Sequence, residues 1–169
     1  MIDPTWQRLD VAARNLAPFA ATVLLLLIGL VPLRLPYLPP IGTNLVLVSV
    51  YYWAMHRPTA MPGQVVLVIG LLIDLLGGGF LGVNALAMLA AYGAALGMRR
   101  WIIGASFAMV WGGYAVVAIG TMLLAWFVVL VMSGRVADIA PALSGTLFGI
   151  GAYPLLGALF AHMQRGVMR

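Results

Sequence analysis

The chain contains no cysteine, so disulfides and thiolate metal sites are excluded. It contains no glutamate and two histidines, His56 and His162. No His-Glu-x-x-His, no Gly-x-Ser-x-Gly and no paired carboxylates occur, which points away from an enzyme. Two histidines without a carboxylate nearby give too few ligands for a metal, and no cofactor is implied. Charge is the scarcest property of all. Only 8% of the 169 residues are charged and 64% are hydrophobic, which leaves too few polar side chains to cover a water-facing surface.

What is present is apolar sequence in long runs, with a mean hydropathy of +1.09. Repeated runs without strand-like alternation predict an all-α integral membrane protein, a helical bundle and not a barrel. Nine arginines against four aspartates give a net charge of +5. In a soluble protein that balance would suggest nucleic acid; here it suits membrane topology and anionic lipid headgroups, with no nucleic-acid partner.

Residues 1–16 read as an amphipathic segment on the cytoplasmic face. Asp3-Pro4 opens it, and Ile2, Trp6, Leu9, Ala13 and Leu16 recur at helical spacing. Residues 17–169 read as a single transmembrane domain of six spans: Pro18 to Leu33, Thr43 to His56, Pro62 to Leu76, Leu81 to Met98, Trp101 to Met132 and Pro141 to His162. Thr43 or Asn44 is the expected cap of the second span. The fifth carries no charge, and Gly112-Gly113 is read as a kink, not a break. Pro154 is expected to bend the sixth. Six spans put both termini on one side. With that side cytoplasmic it holds Arg8, Arg14, Arg57, Arg99, Arg100, Arg165 and Arg169, leaving Arg34 and Arg135 outside, the bias that favours an N-in, C-in bundle.

One stretch stands apart, Asp74 to Asn84, which holds a carboxylate in an apolar segment followed by Gly77, Gly78, Gly79 and Gly82. A buried acid in a membrane is costly and marks a site by default. At the end of the third span Asp74 opposes the helix dipole and needs a partner. The candidates are the backbone N–H groups opening the fourth helix, the Asn84 amide, and the cations Arg34 and Arg135. The expectation is a structural cap that fastens the turn between the third and fourth spans. A proton or cation site is the alternative, weakened by the lack of a second acid to continue a relay.

Small residues also recur every four positions. Gly104, Ala108 and Gly112 form one row and the first candidate for packing a partner helix; Ala87, Ala91 and Ala95 form a second. A third, Gly145, Gly149, Gly157 and Ala161, is interrupted by Tyr153. His56-Arg57 and Arg99-Arg100 sit where helices end and read as cytoplasmic-interface groups favoured by the C-terminal dipole.

The segments Tyr51-Tyr52-Trp53-Ala54 with His56-Arg57-Pro58, Leu71-Leu72-Ile73-Asp74-Leu75-Leu76-Gly77-Gly78, and Phe80-Leu81-Gly82-Val83-Asn84-Ala85-Leu86 resemble the bacterial rod shape-determining protein MreD family. The likeness covers essentially the whole chain, although the first, fifth and sixth spans match only in hydropathy. One departure is Gly42-Thr43 before Asn44, where the family often has proline. The resemblance implies a non-catalytic multi-pass subunit of the cell-elongation machinery in the bacterial inner membrane. Such a subunit would bind MreC, a single-span protein with a periplasmic domain, and help couple MreB filaments to RodA and a penicillin-binding transpeptidase, and so to peptidoglycan synthesis and cell shape. It also implies a fold similar to the substrate-binding subunits of energy-coupling-factor transporters. A vitamin or small-solute uptake subunit is therefore the alternative function, and it would need a cavity with convergent polar groups on the outer side.

Overall fold

The computed structural model describes residues 18–29, 41–102 and 104–167. The amphipathic segment at 1–16, together with Arg34, lies outside the described residues. Among those described, the structure is all-helical: α1 (Pro18–Gly29), α2 (Ile41–His56), α3 (Gly63–Gly77), α4 (Val83–Ile102), α5 (Phe107–Ser133) and α6 (Ala140–Val167). Two stretches, Phe107–Ser133 and Ala140–His162, are long and apolar enough to cross a membrane. The 27 residues of α5 span about 40 Å at about 1.5 Å per residue, against a hydrocarbon layer of about 30 Å. Its exposed stripe, Val116, Ile119, Leu123, Phe127 and Val131, is as apolar as its buried face. A helix apolar on every side is compatible with a helical membrane protein.

Four helices form a ring in which α2 packs on α4, α4 on α5, α5 on α6, and α6 back on α2; across the diagonal, α2 and α5 barely meet. α3 lies outside the ring along α4. The two approach so closely at Gly70 that any Cβ there would run into the Ala85 backbone. α1 is tied to α2 by a 2.7 Å hydrogen bond between the hydroxyls of Thr22 and Ser49. The ring has a lower end, with the α2–α3 and α4–α5 connections, and an upper end, with the α3–α4 turn and the α5–α6 loop.

The lower half is solid. Tyr51 of α2, Tyr114 of α5 and Tyr153 of α6 are buried together, with ring centroids 5.4, 5.9 and 4.7 Å apart. Tyr51 Oη donates to the Val110 carbonyl at 3.1 Å, linking α2 to α5 where their backbones stay apart. Phe160 adds ring contacts to Tyr52 and Trp53. Tyr153, the interruption in a row of small residues, is thus the ring that stacks on Tyr114; the buried glycines Gly145, Gly149 and Gly157 flank it on α6.

Several boundaries differ from the sequence-based expectation, α6 for one running to Val167, past His162. α2 begins at Ile41, so Thr43 and Asn44 occupy its first turn instead of capping it. α4 runs past Arg99-Arg100 to Ile102, since arginines in a last turn complement the dipole and do not end the helix. The connection to α5 follows, with Gly104 at φ 87° and Ser106 at the N-cap position. The fifth helix accordingly starts at Phe107, not Trp101, and continues unbroken through Gly112-Gly113. Gly104 therefore lies off the helix and cannot share a row with Ala108 and Gly112. Those two are exposed on α5, and a Cβ at Gly112 would meet nothing within 4 Å. α6 continues through Pro154.

Candidate functional site at the upper end

Asp74 sits in the last turn of α3 and is 2% exposed. Its Oδ2 accepts from the backbone N–H of Gly82 at 2.9 Å and of Ala85 at 3.2 Å. Its Oδ1 accepts from the Asn84 backbone N–H at 3.0 Å and from Asn84 Nδ2 at 2.9 Å. These backbone donors belong to the first turn of α4, which has no intrahelical partner for them. The carboxylate of one helix thus caps the next. Gly78 at φ 66° ends α3 in the left-handed region, and Gly82 at φ 96° swings the chain back under the carboxylate. Hydrogen bonds to a charged acceptor contribute about 1.5–3 kcal/mol each, which outweighs the roughly 0.3–1 kcal/mol cost of an anion at a helix C-terminus. Of the cations expected as partners, Arg135 is exposed in the α5–α6 loop, and Arg34 lies outside the described residues.

Each carboxylate oxygen accepts two hydrogen bonds, so the roughly four lone-pair sites of Asp74 are filled. No acceptor capacity remains for a substrate or a metal. Of the predicted motif, Asp74, Gly82 and Asn84 come together in this clamp, while Gly77 and Gly78 are exposed in the turn beside it. A carboxylate only accepts, so the Asn84 amide must turn its NH₂ toward Asp74. Its Oδ1 has no partner among the described residues.

Asn84 also lines a cavity of about 450 Å³ in the upper half of the ring. Its walls come from α2, the α3–α4 turn, α4, α5 and the α5–α6 side, and its size is within the roughly 300–1,000 Å³ of small-molecule sites. The space exists because Ala87, Ala118 and Ala125 line the ring here, at levels where the lower half carries tyrosines. Polar groups converge on it: Thr43 and Asn44 from α2, Asn84 from α4, Thr121 from α5, Thr146 and Asp138 from the α6 side. Thr121 Oγ1 donates to the Val117 and Ala118 carbonyls at 2.9 and 3.0 Å, and Thr146 Oγ1 to the Ala142 carbonyl at 2.9 Å. Trp126 lines the same cavity with its indole N–H donated to the Ala137 carbonyl at 2.9 Å. Deeper in the ring, a Cβ at Gly149 would lie 3.1 Å from Tyr114 Oη and 3.2 Å from Asn44 Cβ. The Tyr114 hydroxyl is fully buried and has no hydrogen-bond partner among the described residues.

Four basic residues collect at the opposite end. Arg99 Nε donates to the Met55 carbonyl at 2.9 Å, closing the C-terminus of α2 from α4. His56 Nδ1 donates to the Tyr52 carbonyl at 2.9 Å and its ring stacks on that tyrosine at 4.2 Å. Arg57 is half-buried in the α2–α3 turn, and the Arg100 guanidinium lies 5.5 Å from the Trp101 ring centre. These four residues finish helices and assemble no reactive set. Among the described residues no three His or Asp side chains come together as metal ligands.

Thr121, Thr146, Trp126 and Asp138 are site residues that reading the sequence missed. The only signal for the two threonines was a hydroxyl inside an otherwise apolar run, and Trp126 and Asp138 gave none that tied them to a site. Compared with family models, with characterised proteins and with solved structures, the chain matches none.

Proposed function

We propose that the chain is a six-span, N-in and C-in subunit of the bacterial inner membrane. In this reading it assembles the cell-elongation machinery without catalysing a reaction, as its resemblance to the MreD family implies. The carrying observation is the saturated Asp74 clamp. The part of the sequence most specific to that resemblance is one closed hydrogen-bonded unit, spent on joining α3 to α4 and unavailable for chemistry. The placement of Arg57, Arg99 and Arg100 at one end supports a cytoplasmic lower end. Exposed small residues such as Ala108 and Gly112 leave room on α5 for a partner span such as that of MreC.

The test is affinity purification of the full chain from native membranes. The expected outcome is co-purification of a single-span protein with a large periplasmic domain, followed by RodA and its transpeptidase partner. Recovery of the partner should fall with Gly112→Leu; unchanged recovery from a well-expressed Gly112→Leu protein removes that face from the interface.

A second reading, a solute-binding subunit for uptake, is favoured by one observation, the 450 Å³ cavity with polar groups converging on it. Uptake of a labelled solute that depends on this chain, with no single-span partner recovered, would favour it over assembly.

A further inference from the structure

We infer that the upper cavity binds an organic cation, an ammonium head on an apolar body. The inference rests on the second reading above, that the cavity holds a small molecule, and is independent of any role in assembly.

The groups whose orientation is fixed offer acceptors. Asn84 has its NH₂ held by Asp74, which leaves Oδ1 to a ligand. Thr121 and Thr146 have their hydroxyl protons committed to backbone carbonyls of their own helices, which leaves oxygen lone pairs. Trp126 has given its single donor to Ala137, so what it still presents is the ring, whose π system attracts cations. Among the described residues the one charged side chain in the lining is Asp138, and no arginine lines the cavity. Asp138 is exposed, and its Oδ1 accepts from the Ala140 N–H at 3.0 Å, so it caps α6 as Asp74 caps α4. Of the three helix N-termini at this end, those of α4 and α6 therefore already hold their own carboxylates, while the first turn of α2 contributes the side chains of Thr43 and Asn44 to the lining. The remaining wall is Ala, Val, Leu, Ile and Met, suited to an apolar body. Among the described residues an anionic ligand would find no cationic side chain here, whereas an ammonium finds an aromatic ring, amide and hydroxyl oxygens, and a carboxylate.

The test uses the full chain in detergent with three matched probes: 4-phenylbutylammonium, 4-phenylbutyrate and 4-phenylbutanol. Affinity is read by calorimetry and by the shift in unfolding temperature. The ammonium is expected to bind about tenfold tighter than the carboxylate, with the alcohol between them. Ala125→Phe should fill the cavity and abolish binding. Asp138→Asn keeps an N-cap acceptor while removing the charge, so it tests the same point in a folded protein if Ala125→Phe fails to fold. It should weaken the ammonium several-fold and leave the alcohol unchanged. Carboxylate binding as tight as that of the ammonium, abolished by Ala125→Phe, overturns the cation assignment while leaving the cavity a ligand site. Binding of none of the three, or binding that persists in Ala125→Phe, overturns both.

Discussion

The two halves of the ring are built on opposite principles. The lower half is filled by Tyr114 stacked on Tyr153, with Tyr51 edge-on to both and Phe160 and Trp53 beside them, and holds its shape by packing. The upper half is hollow and holds its shape by hydrogen bonds, with Asp74 fastening α3 to α4 and Asp138 closing the first turn of α6. Packing rigidity is spread over many atoms, whereas a polar clamp concentrates it in one side chain. Removing a packed or hydrogen-bonded group should therefore cost stability in either half, while adding one should be tolerated only where it points into the cavity.

The largest effect is expected from Asp74→Leu, which leaves three backbone N–H groups and the Asn84 amide unpaired. At about 1–3 kcal/mol per buried unsatisfied group, the loss should exceed about 4 kcal/mol and show as poor recovery and a lowered unfolding temperature. Asp74→Asn should fall between Leu and the parent, because its NH₂ faces donors on one side while its carbonyl still accepts. Equal tolerance of both substitutions would mean that the clamp contributes nothing. Next comes Tyr153→Ala, which opens a void in the lower half and should cost about 3–5 kcal/mol in chemical denaturation.

Gly70→Ala should cost about 1–3 kcal/mol, since the new methyl meets the Ala85 backbone, which cannot turn away as a side chain can. Ala125→Leu, an enlargement that points into the cavity and not at a neighbouring backbone, should stay within about 1 kcal/mol of the parent. If it proves as damaging as Gly70→Ala, the upper half is not the open space described. The smallest effect is expected from Tyr114→Phe. It deletes a buried hydroxyl that has no partner among the described residues, so the protein should be unchanged or more stable by up to about 1 kcal/mol.

Much of the local structure was legible in the sequence, and for identifiable reasons. A lone carboxylate at the end of one helix, with glycines and an asparagine before the next, had few possible partners, and the backbone donors of α4 were among them. Continuity through Gly112-Gly113 followed from the lack of any polar or proline break. The α4–α5 turn was not legible, because Trp101-Ile102 is as apolar as the helices around it and Gly104 looks like a packing residue until its positive φ is known. Nor was the cavity. Ala87, Ala91 and Ala95 share one spacing in the sequence, yet Ala91 and Ala95 are fully covered while Ala87 lines open space. Spacing says which residues share a face, and only the opposite wall decides whether that face is filled. The tyrosine trio was hidden for a related reason, since its members are scattered over α2, α5 and α6 with nothing local to link them.

The hydrogen bond from Asn84 Nδ2 to Asp74 also makes one amide answer to two demands. While the carboxylate is present the amide cannot turn over, so the chemical sign of that point on the cavity wall is set by the fold itself. With asparagine at position 74 the two amides can exchange roles, and a donor can swing inward where an acceptor stood. A change outside the cavity would then rewrite what the cavity prefers, even in molecules that still fold.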